Sequence, residues 1–308
     1  MQKRRKVLRI LQDDINIKIP QAVHSTKNGF SELFRIFSAY LNSENRKKVI
    51  TVDFRANTWF DANLLPIVFA FVFYGQKNYE IESRYSNQPD DKLHRLLIRN
   101  NFAKECFDME YRPRRNETAV PFKVFRASDT YGFGSYMDAE IVRYFPNMEA
   151  RVKKDLSCYI QELFGNAQIH GGCNMVFTCG QYYYQNHKMD FTIVDVGNTI
   201  RDNVIKYLTD LNKSIPTNCI SWAVEPEHST KITNSGGIGL SLMHDFIYFN
   251  HGKFQIVSGN EFWELNARTI EMAKLNDYFP GTIVNIEIDQ NDKKFYRYQE
   301  NISLQELF

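Results

Sequence analysis

Three side chains able to do chemistry recur at a four-residue spacing in QELFGNAQIHG, residues 161–171, namely Glu162, Asn166 and His170. Because a helix turns about 100° per residue, positions four apart lie above one another on one face. The neighbouring stripe is apolar and consists of Leu156, Ile160, Leu163 and Ala167. A face that is only solvated would hold Lys, Glu and Gln in looser order. The pattern therefore indicates an amphipathic helix whose polar face is either an assembled site or a solvated surface.

A second candidate lies in DVGNTI, residues 195–200, where Asp195 ends an apolar strand and Gly197 follows two residues later. A carboxylate in this position either caps a turn or accepts a hydrogen bond from an exocyclic amine. In the second case, Gly197 would let a flat ring approach the backbone because it carries no side chain.

Two glycine-containing turns complete the set. SGGIGLS, residues 235–241, opens a predicted helix and therefore presents free N–H groups to an anion. PGTIVNIEI, residues 280–288, places Thr282 at the start of a predicted strand. One glycine turn is weak evidence, because many such turns bind nothing. Four such segments in this order and spacing are far more specific.

Together the four segments resemble the nucleotide-binding boxes of the GHKL ATPases, the superfamily of histidine-kinase catalytic domains, gyrase B, Hsp90 and MutL. The form E-L-x-x-N-A-x-x-H-G is most similar to the anti-sigma-factor serine kinases, and the resemblance covers roughly residues 135–290. The matches are Glu162 and Asn166 for the N box, Asp195 and Gly197 for the G1 box, Gly237, Gly239 and Leu240 for the G2 box, and Gly281 and Thr282 for the last adenine-side threonine.

The resemblance implies that the chain binds ATP and Mg²⁺. Asn166 would bind the metal and Glu162 would polarise the attacking water or hydroxyl, since an i, i+4 pair projects both groups toward one phosphate. Asp195 would accept a hydrogen bond from the adenine N6 amine, and Thr282 would support the adenine side. His170 would either approach the nucleotide or cap the helix. The residues assigned to nucleotide binding are Asn166, His170, Asp195, Gly197, Thr199, Ser235, Gly236, Gly237, Gly239, Leu240 and Thr282.

The same resemblance assigns a mobile ATP lid to about residues 201–235, in which Ser229, Thr230 and Lys231 either meet the γ-phosphate or belong to a solvated loop. One departure stands out, because the G1 box usually has a second glycine where this chain has Thr199. A Cβ there would narrow the adenine side or stiffen the entrance to the lid. No His-containing dimerisation helix precedes the N box, so the pattern is not that of a complete sensor histidine kinase.

Strand and helix patterns alternate in the first part of the chain. We expect a strand in KKVITVDFRAN (47–57), an apolar helix after Asp61 as N-cap, a strand in NYEIESRY (78–85) and one helix in DDKLHRLLIRNNFAKECF (90–107). The stretch ITVDFRANTWFDANLLPIVFAFV resembles the strand–turn–helix of STAS domains. The residue that matches the phosphorylated serine of that family is Asn63, which cannot accept a phosphate. The alternative is an ordinary α/β domain.

Residues 111–135 are irregular and contain the predicted boundary, although VPFKVF could form an edge strand. We therefore expect an α/β (α+β) protein of two domains. Residues 1–120 would be a STAS-like α/β regulatory domain. Residues 121–308 would be a GHKL (Bergerat) two-layer α/β sandwich with a mixed sheet and an ATP lid.

Composition limits the function classes. The formal net charge is +2, and the basic residues are scattered, which argues against a nucleic-acid partner. The longest apolar run, residues 64–75, is too short to span a membrane, and no signal peptide is visible. The five cysteines form no CxxC pair. These features predict a cytoplasmic protein with reduced thiols.

The leading hypothesis is a cytosolic regulatory protein that binds Mg-ATP, hydrolyses it slowly and changes shape with the nucleotide state. One alternative is a protein serine kinase or anti-sigma-factor-like regulator that phosphorylates a partner. Another is a binding module in which ATP only locks the lid. The expected partners are ATP and either a separate protein or the N-terminal domain docked in cis, and a homodimer is an expectation from the relatives alone.

Overall fold

The computed structural model describes residues 15–41, 49–79, 82–86, 92–107, 118–226, 228 and 239–297. The first elements are β1 (Ile15–Lys18), β2 (Ala22–Val23), α1 (Lys27–Leu41), β3 (Val49–Asp53), β4 (Trp59–Phe60), a 3-10 turn (Ala62–Leu64), α2 (Leu65–Tyr79), β5 (Glu82–Ser86), α3 (Lys92–Arg99) and α4 (Phe102–Phe107). Strands β1, β3 and β5 form a parallel sheet with β3 in the centre, and β2 pairs with β4. The alternation of strands and helices predicted from the sequence is therefore confirmed here.

The remaining elements build a larger sheet and the helices that cover it. They are β6 (Ala119–Arg126), α5 (Thr130–Tyr136), a π-helical turn (Met137–Ile141), a 3-10 turn (Val142–Tyr144), α6 (Ala150–Ile169), β7 (Met175–Tyr183), β8 (Lys188–Asp195), α7 (Ile200–Asp210), α8 (Cys219–Val224), α9 (Gly239–Asn250), β9 (Lys253–Asn266) and β10 (Thr269–Asp289). The protein thus contains both helices and sheets, as the strand and helix patterns of the sequence predict.

The five-stranded sheet has the order β6-β7-β8-β10-β9, and all four pairs of neighbouring strands are antiparallel. This differs from the mixed sheet that we expected. The reason lies in the connection from β6 to β7. Helices α5 and α6 return the chain to the C-terminal end of β6, so β7 begins there and runs antiparallel, with Met175 opposite Arg126. VPFKVF does form an edge strand, because β6 pairs only with β7.

Helices cover both faces of the five-stranded sheet. One face packs against α6 and α9 through a cluster that includes Leu163, Ile193 and Met243. The other face packs against α1 and α2. The rings of Phe34 and Phe279 lie 5.5 Å apart, and those of Phe69 and Phe177 lie 4.9 Å apart. One apolar core therefore includes residues from both sides of position 120. The division into two domains at that position stays a prediction.

A buried set of polar side chains, the interface network, joins the same two parts of the chain. It consists of Ser25, Asn63, Thr192, Gln255 and Asn285, none more than 3% exposed. Asn63 Nδ2 donates to Asn285 Oδ1 and to Ser25 Oγ, at 2.8 Å in both cases. Thr192 donates to the same Asn285 oxygen at 2.6 Å, and Asn285 Nδ2 donates to Gln255 Oε1 at 2.8 Å. Burial of these groups is tolerated because they satisfy one another.

Two local predictions for the first part of the chain need correction. Asp61 precedes the 3-10 turn but makes no capping hydrogen bond there. Its carboxylate instead accepts from the Ser25 N–H at 2.7 Å and from Trp59 Nε1 at 2.8 Å. The single helix expected over residues 90–107 is two helices, because Asn101 adopts a φ of 67° between them. In the described part of the chain, no helix is sufficiently long and apolar to cross a membrane.

Candidate functional site

Helix α6 carries the polar stripe of Glu162, Asn166 and His170. The apolar stripe faces the sheet as predicted, and the residues it buries include Leu156, Ile160, Leu163 and Ala167. Glu162, Asn166 and His170 are only partly buried. The polar face of the helix therefore lies beside the sheet, near the C-terminal end of β8.

The end of α6 is fixed against the segment that follows β8. Gly172 takes a φ of 60°, a left-handed conformation that ends the helix. The Asn198 N–H donates to the Gly171 carbonyl oxygen at 2.8 Å. A Cβ on Gly197 would overlap that same oxygen. Gly197 is therefore needed for the approach of two backbone segments, a packing role that the sequence analysis did not foresee.

Asp195 and Thr282 lie opposite each other on β8 and β10. Asp195 is only 7% exposed. This burial raises the pKa of its carboxyl group to about 8, although a hydrogen bond from the Thr282 backbone acts in the opposite direction. The Thr282 hydroxyl is 2.9 Å from the hydroxyl of Ser258 on β9. Three strands therefore position this pair.

Thr199, which replaces the second glycine of the G1 box, begins α7 with a capping box. Its hydroxyl accepts from the Asp202 N–H at 3.1 Å, while its own N–H donates to the Asp202 carboxylate at 3.0 Å. Its φ of −78° is accessible to any residue. The backbone therefore does not require glycine at this position.

A cavity between α6, β8, α9 and β10 brings together predicted site residues from all four sequence segments. Its volume is about 820 Å³ only when the space open to solvent is included. The predicted site residues that line it are Asn166, His170, Asp195, Leu240 and Thr282. Among the described residues, Glu162, Gly197, Thr199 and Gly239 do not line the cavity. Ser235, Gly236 and Gly237 lie outside the described part of the chain, as do Ser229, Thr230 and Lys231.

Two buried oxygen atoms at this cavity, Asn166 Oδ1 and Asp195 Oδ1, have no hydrogen-bond partner within the described part of the chain. Buried polar atoms are usually hydrogen-bonded, so each exception calls for an explanation. Both residues line the cavity. An amide oxygen can bind Mg²⁺, and a carboxyl oxygen can accept from the amine of a base. The two atoms therefore fit the group that the resemblance implies.

His170 and Glu162 occupy less simple positions. His170 is the C-cap of α6, and its carbonyl oxygen accepts from Asn203 Nδ2 at 3.0 Å. Because His170 also lines the cavity, both interpretations of this residue agree with its place. Glu162 packs beside Gly239, where an added Cβ would lie 3.0 Å from Glu162 Oε2. The start of α9 is thus in close proximity to the predicted general base.

Among the lining residues missed by sequence reasoning, four have polar or aromatic side chains, Asn198, Asn203, Trp222 and His228. Trp222 and His228 lie in the stretch assigned above to the mobile lid, in which the structure has α7 and α8. The signal was present in CISWAV, residues 219–224, an apolar run with a tryptophan. No group of three or more His, Cys, Asp or Glu side chains that could hold a metal occurs within the described ranges.

In comparisons with known proteins, no family model and no curated protein matches the chain. The geometry of the site therefore carries the functional argument alone.

Proposed function

We propose that this protein binds Mg-ATP in the cavity between α6, β8 and β10, in the manner of a GHKL domain. The observation that supports this most is that Asn166 and Asp195 line one cavity and that each has a buried oxygen atom with no partner among the described residues. These residues were selected from the sequence for two different parts of one ligand. Their separation along the chain makes a chance meeting in one cavity improbable.

Each residue has a role that its environment supports. Asn166 would supply an oxygen to Mg²⁺, which keeps several waters and needs few protein ligands. Asp195 would accept the N6 amine of adenine, and Thr282 and the apolar side chains around it would surround the base. Leu240 and Gly239, at the start of α9, would face the phosphates. Bound Mg-ATP would supply an activated phosphoryl group.

Glu162 determines whether the protein also hydrolyses ATP. It lies one turn before Asn166 on the same face of α6, and in this proposal it would orient a water molecule near the phosphates. A positioned general base contributes about 10²–10⁴ in rate. We propose slow hydrolysis with a nucleotide-dependent change of shape. The rival functions are phosphorylation of a partner protein and nucleotide binding without turnover.

The N-terminal part would be the regulatory partner in cis. A STAS-like domain that contacts the back of the five-stranded sheet would sense movements of β8 and β10, the strands that carry Asp195 and Thr282. Because Asn63 cannot accept a phosphate, such regulation would not use the phosphorylation switch of STAS relatives. A cytoplasmic location and a homodimer belong to the same proposal.

Calorimetric titration with Mg-ATP tests the site. Above pH 8, where Asp195 is ionised, we expect the wild type to bind and Asp195→Asn to bind roughly ten- to a hundredfold more weakly, because a hydrogen bond to a charged group is worth about 1.5–3 kcal/mol. Asp190→Asn is the matched control, since Asp190 is also buried on β8 but points to the opposite face of the sheet. Failure of the wild type to bind would refute the proposal.

Turnover separates the rival functions. Glu162→Gln should reduce phosphate release by about 10²–10⁴ while leaving the Kd for Mg-ATP within about threefold. If labelled ATP instead transfers its phosphate to a protein in lysate, and this transfer is lost in Glu162→Gln, the kinase hypothesis replaces the ATPase. If the wild type binds without turnover or transfer, the protein is a binding module.

A further inference from the structure

We infer that Trp222 is a base-stacking residue of the nucleotide site, held in position by His228. This inference rests on the proposed function and adds a residue that none of the four sequence boxes contains. Trp222 and His228 together are called the aromatic wall. Both residues line the cavity that contains Asp195.

The aromatic wall is a preorganised planar surface. The two rings stack with centroids 4.4 Å apart and an interplanar angle of 12°. His228 Nδ1 also lies 2.8 Å from the Trp222 carbonyl oxygen, which fixes the imidazole to the helix that carries the indole. A ligand that contacts this wall therefore meets a ring whose orientation is already set, and binding costs little side-chain entropy.

The helix that carries Trp222 is itself anchored to the sheet. Glu261 on β9 is 3% exposed, and its carboxylate accepts from the Cys219 N–H, at the start of α8, at 2.8 Å. The same carboxylate pairs with Arg201 at 2.7 Å. Arg201 lies in the first turn of α7, directly after the segment that follows Asp195. This chain of contacts couples the position of Trp222 to that of the residue that would read the base.

A purine base needs two kinds of contact. Its edge needs a hydrogen-bond partner, which Asp195 supplies, and its faces need flat or apolar surfaces. The cavity offers aliphatic side chains such as Leu163 and Val284 together with one indole. Among the lining residues in the described part of the chain, Trp222 has the largest aromatic face. Stacking of a base on an aromatic side chain is typically worth enough to change affinity about tenfold or more.

A purely structural role explains the surroundings of Trp222 less well. The side chain is only partly buried, and it also borders a second hollow formed with Tyr207, Lys213 and Pro216. Trp222 also packs against the small cluster of Val204, Leu208 and Cys219, so it lies between the two hollows with part of its side chain in a core. The packing accounts for the buried part of the indole, and a ligand in the cavity would cover the part that stays exposed.

Affinity measurements test the inference directly. Trp222→Ala should raise the Kd for Mg-ATP about tenfold or more, whereas Trp222→Phe, which keeps a stacking ring, should stay within about threefold of the wild type. Urea unfolding of each variant shows whether the fold is retained. Equal weakening by both substitutions, or wild-type affinity in Trp222→Ala, would overturn the inference.

Fluorescence gives an independent measurement that needs no disruptive variant. The chain has three tryptophans, Trp59, Trp222 and Trp263. Stacking of the base should change the emission of Trp222 on addition of Mg-ATP. The change should persist in Trp59→Phe, the matched control on the far side of the sheet, and disappear in Trp222→Phe. If Trp222→Phe responds as the wild type does, the inference is wrong even though ATP binds. If the wild type does not bind ATP, the proposed function fails first.

Discussion

Replacement of Asp195 by asparagine should change how the stability of the protein depends on pH. Burial raises the pKa of the Asp195 carboxyl group from 3.8 to about 8 in the folded protein. In the unfolded chain the group would ionise near its ordinary value. Between these two pKa values, the folded state binds one more proton than the unfolded state, so this group makes the protein less stable as the pH rises.

The size of the effect follows from the pKa difference. Each unit of pH within that window costs about 1.4 kcal/mol of unfolding free energy for one proton. Between pH 5 and pH 7, Asp195 should therefore remove about 3 kcal/mol of stability. Asparagine carries no titratable proton, so Asp195→Asn should lack this loss and become more stable than the wild type at pH 7.

Urea unfolding at pH 5, 6 and 7 measures the difference. The free energy of unfolding of the wild type should fall more steeply with pH than that of Asp195→Asn, by about one proton. Asp210→Asn, a substitution at an exposed position at the end of α7, should keep the slope of the wild type. Parallel pH profiles for the wild type and Asp195→Asn would show that the carboxyl group is not held neutral by burial, and the reasoning would fail.

Three further predictions concern ligand binding and packing. Because an adenine amine favours the ionised form of Asp195, binding of Mg-ATP at pH 7 should release nearly one proton; equal binding enthalpies in two buffers of different ionisation enthalpy would contradict this. Gly197→Ala should destabilise the fold by about 3 kcal/mol, since its methyl group would overlap the Gly171 carbonyl oxygen. Gly165→Ala, where the added Cβ meets no atom within 4 Å, should instead add about 0.5–1 kcal/mol in urea unfolding. Asn63→Ala should cost about 1–3 kcal/mol by leaving interface-network partners unsatisfied, and a loss below 0.5 kcal/mol would count against the network.

Much of the site could be predicted because its signals are local. The four-residue spacing on α6 determines which side chains share a face, and the apolar run before Asp195 determines where β8 ends. A helix is present from Gly239 onward, as expected after the glycine turn, whose residues 235–238 lie outside the described part of the chain. In each case, periodicity or turn chemistry within about ten residues carries the information.

The features that were missed depend on distant partners. Asp61 resembles a helix cap, yet its carboxylate binds the backbone of Ser25, 36 residues away. Strand β10 was expected only from Gly281, but it begins at Thr269, because the largely exposed residues 269–279 pair with β9. The capping role of Thr199 was missed although its signal is local. Asp202 follows three residues later, and this spacing is typical of a capping box.

The interface network also has a consequence for synthesis of the chain. The hydrogen bond from Asn63 to Asn285 joins residues 222 positions apart. At about 5–20 residues per second, the ribosome adds the second partner about 10–45 s after the first. During that interval the amide of Asn63 and the phenylalanines of α1 and α2 lack the surface that they cover in the native state. The nascent chain should therefore depend on chaperones until β10 emerges, and truncation before this strand should yield aggregates in place of a smaller folded protein.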